Sequence, residues 1–200
     1  MPLFGKSKEQ KIADAMETLT AKILDLHAPS TTIIQFLDNN VSSDNDTGWS
    51  VNAEVCALFC YLVWRWALEI GGYRFGRRLH LQICTSVLGA YEEVWGDQWD
   101  RELYYWYVDL QTTTEVEYGE CQSLFGSLEP INSVDDNTII GKFAGRIAEL
   151  IQRPEDPILR TTIALYTFPL VTDKRTTGFR GEIETIWKNT AENIKKQWTV

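Results

Sequence analysis

Apolar positions recur along this chain at helical intervals far more often than at alternating ones. Ile12, Met16, Leu19, Ile23 and Leu26 are spaced 4, 3, 4, 3, while Glu9, Lys11, Asp14, Glu17, Lys22 and Asp25 fill other faces. That pattern predicts an amphipathic helix with a narrow seam over Ser7–Leu26, closed by Pro29 and Ser30. Thr31–Leu37 is a short apolar element whose pattern does not separate strand from helix. Residues 38–50, rich in Asp, Asn and Ser with one Gly, predict a surface loop.

The next segment, Asn52–Ile70, is apolar almost all round, its charges being Glu54, Arg65 and Glu69. Tyr61 joins Glu54 and Arg65 at helical spacing, so these side chains predict a polar stripe in which Arg65 and Glu69 pair one turn apart. Gly71 and Gly72 end the segment. Tyr73–Trp95 then carries two apolar stripes, Phe75–Leu79–Ile83–Val87–Ala90–Val94 and Leu81–Cys84–Leu88–Tyr91–Trp95. Burial on two sides follows, and the two segments predict a central helical hairpin.

Beyond Gly96, Asp97 is placed to cap a helix carrying Trp99, Leu103, Trp106 and Leu110, and Thr112–Tyr118 alternates as a short strand would. Ser133 or Asp135 is placed to cap a helix through Ile139, Ile140, Phe143, Ile147, Leu150 and Ile151, stopped at Arg153–Pro154. Pro157 opens a segment over Ile158–Phe168 that Pro169 ends. Residues 172–178 read as a loop, and Phe179–Trp198 as a final amphipathic helix. The expectation is an all-α fold, one helical domain over residues 1–200 with seven or eight helices and room for one short strand pair. No internal repeat and no Pro-, Gly- or Ser-rich linker divides it.

Composition narrows the function classes. Nineteen Lys and Arg against 28 Asp and Glu leave a net charge of −9, which repels a phosphate backbone and argues against nucleic acid as a partner. The longest uninterrupted apolar run, Val55–Trp64, has ten residues, against roughly 20 needed to span a bilayer, so a buried core helix is expected and no membrane span. The beginning, Met1–Lys8, lacks the apolar stretch of a signal peptide, and Pro2 stands where myristoylation needs Gly. The four cysteines form no Cys-x-x-Cys pair, and Cys56, Cys60 and Cys84 lie in apolar runs, as reduced core thiols do. A cytoplasmic protein is the expectation.

Motifs with catalytic or metal chemistry are sparse. Neither His27 nor His80 sits in a zinc or di-iron frame, and no nucleophile elbow, Walker loop or dinucleotide turn is present, so no catalytic residue, metal ligand or cofactor is assigned. Cys84 and His80, one turn apart, have the spacing of an activated thiolate, but a helical Cys on an apolar stripe ordinarily belongs to the core. Residues 43–54 place Asn45, Thr47, Gly48 and Glu54 at the third, fifth, sixth and twelfth positions of a calcium loop, with Ser43 where the first Asp belongs. The stretch resembles a degenerate EF-hand loop, and capping of the following helix accounts for the same residues.

Charge and aromatic distribution are more informative. Residues 92–120 hold nine acidic side chains and one basic, Arg101, and residues 95–107 hold six aromatics. One helix cannot bury all of these, so Trp99, Tyr104, Tyr105, Trp106 and Tyr107 are candidate partner-binding residues, with half-buried rim tyrosines as the plainer account. Arg74, Arg77 and Arg78 crowd a first helical turn, where cations oppose the helix dipole and call for an anion. Either the protein's own acidic segment or an external phosphate, carboxylate or acidic partner would answer, which makes the three arginines a candidate anion site.

These features favour a non-enzymatic protein–protein interaction module, such as an acidic adaptor, chaperone or inhibitor, that holds a basic partner through its acidic, aromatic face. The alternatives are a helical small-molecule-binding protein or enzyme using the Arg-lined site beside Glu54, Tyr61, Arg65 and Glu69, and a homo-oligomeric structural subunit. A homodimer through the terminal helices is also expected, because the first helix has a coiled-coil-like seam. Residues 174–200 carry six basic and three acidic side chains in an otherwise acidic chain.

Overall fold

The computed structural model describes residues 6–24, 33, 35–37, 45–95, 137–172 and 174–190, and helix takes up 90% of them with no strand among them. The all-α expectation holds. The helices are α1 (Lys8–Leu24), α2 (Asn45–Trp95), α3 (Ile139–Leu150), α4 (Pro157–Thr172) and α5 (Lys174–Asn189). Residues 33 and 35–37 are helical too, which settles the ambiguous Thr31–Leu37 element. The described residues thus contain six helical segments, not seven or eight. The segments expected at 52–70 and 73–95 are the two limbs of α2, separated at Gly72, and both the helix through Trp99 and the strand at 112–118 lie outside the described residues.

Contacts group the chain into two compact units, each assembled from separate stretches of sequence. The first comprises residues 1–24, 60–107 and 174–200, and the second residues 25–59 and 108–173. The chain passes from one to the other inside α2, where no linker composition marks the change.

In the first unit Ser7 caps α1, its Oγ accepting from the Gln10 N–H at 3.1 Å. The Glu9 carboxyl is held below its usual range there, by its own backbone N–H first and the Ser7 hydroxyl second. Ala15, Leu19 and Ile23 are buried, and α1 packs on α5. Of the seam residues that suggested a dimer, Leu19 and Ile23 are buried while Ile12 and Met16 stay partly exposed, and Leu26 lies outside the described residues.

Gly72 interrupts α2 with φ 80° and ψ 179°, a conformation open essentially to glycine alone. Trp64 and His80 nevertheless have ring centroids 5.9 Å apart, whereas sixteen residues of straight helix span about 24 Å. The two limbs of α2 therefore double back on each other, as the expected hairpin requires. Gly76 makes the close approach possible: a Cβ there would lie 2.9 Å from Leu68 Cδ2 and 3.1 Å from the Leu68 backbone nitrogen. Helix α5 packs on this hairpin through Phe179 against Trp66 and Trp187 against Phe75, with centroid separations of 6.0 and 4.9 Å.

In the second unit, Thr138 rather than Ser133 or Asp135 caps α3, its hydroxyl accepting from the Gly141 N–H at 3.0 Å. The helix ends in a Schellman motif, with Gln152 left-handed at φ 58° and the Arg153 N–H donating to the Ala148 carbonyl at 2.8 Å. Asp156 then caps α4, accepting from the Ile158 and Leu159 N–H groups at 3.1 and 3.0 Å, with Pro157 at the first helical position as expected. Ile139, Ile140, Phe143 and Ile147 of α3 and Leu159 and Ile163 of α4 are buried where these two helices pack.

Two expected loops are corrected. Residues 45–50 of the predicted 38–50 loop begin α2, residues 172 and 174–178 of the predicted 172–178 loop belong to α4 and α5, and α4 runs through Pro169 to Thr172 instead of ending at that proline. In both cases polar residues continue a helix whose apolar anchors lie further along, so composition alone hid the first turns.

Candidate functional site

The arginine cluster is well placed for contact. Gly72 starts the second limb of α2, and Arg74, Arg77 and Arg78 are all exposed in its first two turns. At about 100° per residue the three guanidinium stems share an arc of roughly 100° of the helix circumference. Tyr73, 62% exposed, and Leu81, 39% exposed, lie on the same side. The opposite side, Phe75, Leu79, Ile83 and Val87, is buried.

The predicted polar stripe does not exist as a unit. Glu54 turns to Arg146 of α3, whose Nε donates to Glu54 Oε2 at 2.8 Å while a second guanidinium nitrogen holds Oε1. Glu69 is half exposed and pairs with Arg180 of α5 at 3.1 Å, not with Arg65. Arg65 instead donates to the Tyr61 hydroxyl at 3.4 Å. Partners one turn away lost to partners on other helices whose geometry served the carboxylates better.

The remaining chemical candidates are enclosed. His80 is fully buried, as are the thiols of Cys60 and Cys84, and Cys56 is nearly so. A buried, apolar-packed thiol is inert toward reagents in solution, so the Cys84–His80 spacing marks core packing. The calcium-loop alignment fails on backbone: residues 45–54 are helical, whereas twelve-residue ligation needs a loop, and Glu54 at its last position is engaged by Arg146. Among the described residues no group of three or more His, Cys, Asp or Glu is arranged to hold a metal ion. Trp99, Tyr104, Tyr105, Trp106 and Tyr107 lie outside the described residues.

A surface not foreseen from sequence appears on α4. Ile158 is 78% exposed and Leu165 53%, and the two are two turns apart on one face, with Tyr166 beside Leu165 at 38%. The Tyr166 ring also meets Phe36 at 5.5 Å. Helix α4 is apolar nearly all round, so no sequence signal distinguished its buried face from its exposed one.

One stretch among the described residues, Glu54–Ala90, is long and apolar enough by length and composition to cross a membrane. Its most apolar window is 61% buried inside the protein, as core helices are, and the reversal at Gly72 falls within the stretch. The described residues thus belong to a predominantly helical protein. The chain matches no protein-family model, no curated protein and no solved structure.

Proposed function

We propose that this protein is a non-enzymatic interaction module that holds a protein partner on exposed helix faces. The observation that carries the reading is the apolar stripe of α4, where Ile158 and Leu165 remain largely in water although neighbouring Leu159 and Ile163 are buried. Large apolar side chains repeated on one exposed face are a common mark of a contact surface. Enclosure of the thiols and of His80 supports the same reading. The composition of stretch 92–120, acidic and aromatic through Trp99, Tyr104, Tyr105, Trp106 and Tyr107, suits contact with a basic partner.

Affinity capture at low salt tests this with matched variants. Wild-type protein is expected to retain a defined partner, and Ile158→Ser/Leu165→Ser, with unchanged helical circular dichroism, is expected to lose it. Trp99→Ala/Trp106→Ala addresses the acidic, aromatic stretch in the same way. Identical capture by wild type and both variants would overturn the reading.

A second reading concerns Arg74, Arg77 and Arg78, whose common exposed face favours an anion-binding role. Isothermal titration with inorganic phosphate, compared between wild type and Arg74→Gln/Arg78→Gln, tests it: heat of binding in the first and none in the second is expected.

A further inference from the structure

We propose that the exposed face of the second limb of α2, formed by Tyr73, Arg74, Arg77, Arg78 and Leu81, docks an acidic peptide segment whose carboxylates flank an apolar side chain. The inference rests on reading the arginine cluster as an anion site and adds the class of ligand. Around the helix, at about 100° per residue, the order is Tyr73, Arg77, Leu81, Arg74, Arg78. An exposed apolar side chain thus lies between guanidinium groups, with an exposed aromatic ring at one margin.

Three arguments select an acidic peptide. Small phosphorylated ligands bind in concave sites that cover most of their surface, whereas these five residues project from one exposed helical face, which suits an extended ligand that meets several side chains in turn. Each guanidinium offers a planar fork matched to a carboxylate, and Tyr73 and Leu81 offer apolar contact that a bare anion cannot use. Long polyanions are disfavoured by the net charge of −9, whose repulsion grows with the ligand's total charge and length, while screening confines the local attraction of the arginines to about 8–10 Å, the reach of a short acidic segment.

The test is fluorescence anisotropy with a labelled peptide of about twelve residues, rich in Glu and Asp around one central Leu, titrated with the full chain. Saturable binding that weakens with salt is expected. In Arg74→Gln/Arg77→Gln/Arg78→Gln it should fall by roughly tenfold or more, and in Leu81→Ser by a few-fold that persists at high salt. All four positions are exposed, so unchanged circular dichroism and thermal midpoint are expected of each variant and separate lost binding from lost folding. No saturable binding by wild type, or equal affinity in the triple variant, overturns the proposal. Phosphate and phosphatidylserine vesicles serve as parallel probes. Arginine-dependent binding of phosphate without binding of the peptide leaves the anion site standing and removes the peptide. Failure of both removes the site, and vesicle binding in place of peptide binding overturns the proposal in favour of a membrane surface.

Discussion

Each unit joins a glutamate to an arginine on another helix, in opposite surroundings. In the second, Glu54 is only 8% exposed and is gripped by two nitrogens of the Arg146 guanidinium. In the first, Glu69 and Arg180 leave 54% and 51% of their side chains in water and meet at a single point. Lys22 and Glu182, at 3.0 Å and 31% and 26% exposed, fall between the two. A carboxylate leaves water where a planar fork can satisfy both its oxygens, and otherwise stays at the surface. The two kinds of pair therefore carry different consequences for stability, although both join a glutamate to an arginine on another helix.

The sharpest way to break this comparison is Glu54→Leu, which takes the carboxylate away from the part-buried Arg146 guanidinium and should cost about 3 kcal/mol of unfolding free energy in urea titration. A loss below about 1 kcal/mol would place the buried pair among ordinary surface bridges. Restoring an apolar match with Glu54→Leu/Arg146→Met should recover much of the loss. Next in size is Gly72→Ala, which forces a Cβ into the backbone conformation that turns the α2 hairpin and should cost about 1–3 kcal/mol. An unchanged denaturation midpoint would mean that the limbs can meet through another turn geometry. Thr138→Ala removes the cap of α3 and should lower stability by about 1 kcal/mol, read from the same titration. The smallest effect belongs to Glu69→Leu, expected within about 0.5 kcal/mol of wild type because the Arg180 pair is half solvated. A large loss there would erase the contrast between the units and revive a pairing of Glu69 with Arg65.

Local chemistry made much of the fold legible. The 4, 3, 4, 3 spacing from Ile12, the Gly71–Gly72 break, and the Pro157 start of α4 each correspond to an observed feature. Boundaries failed where capping or polar first turns were involved: Thr138 displaced Ser133 and Asp135 as the cap, and α2 and α5 start earlier than their apolar patterns suggest. The candidate site was partly visible. The arginines announced themselves by crowding a first turn, but the exposed stripe of α4 did not, because a helix apolar on every side carries no mark of which face will be covered.

By itself, the sequence determined the helical class, where the chain reverses, and which side of α1 and of the second α2 limb is apolar. These are properties of residues within a turn or two of one another, set by backbone preference and periodic burial. Tertiary structure alone decided that Glu54 meets Arg146 across 92 positions, that Glu69 takes Arg180 over Arg65, that α1 packs on α5, and that Ile158 and Leu165 remain in water. Those choices depend on how whole helices are placed against each other, and any one helix could satisfy its own local preferences with several different neighbours.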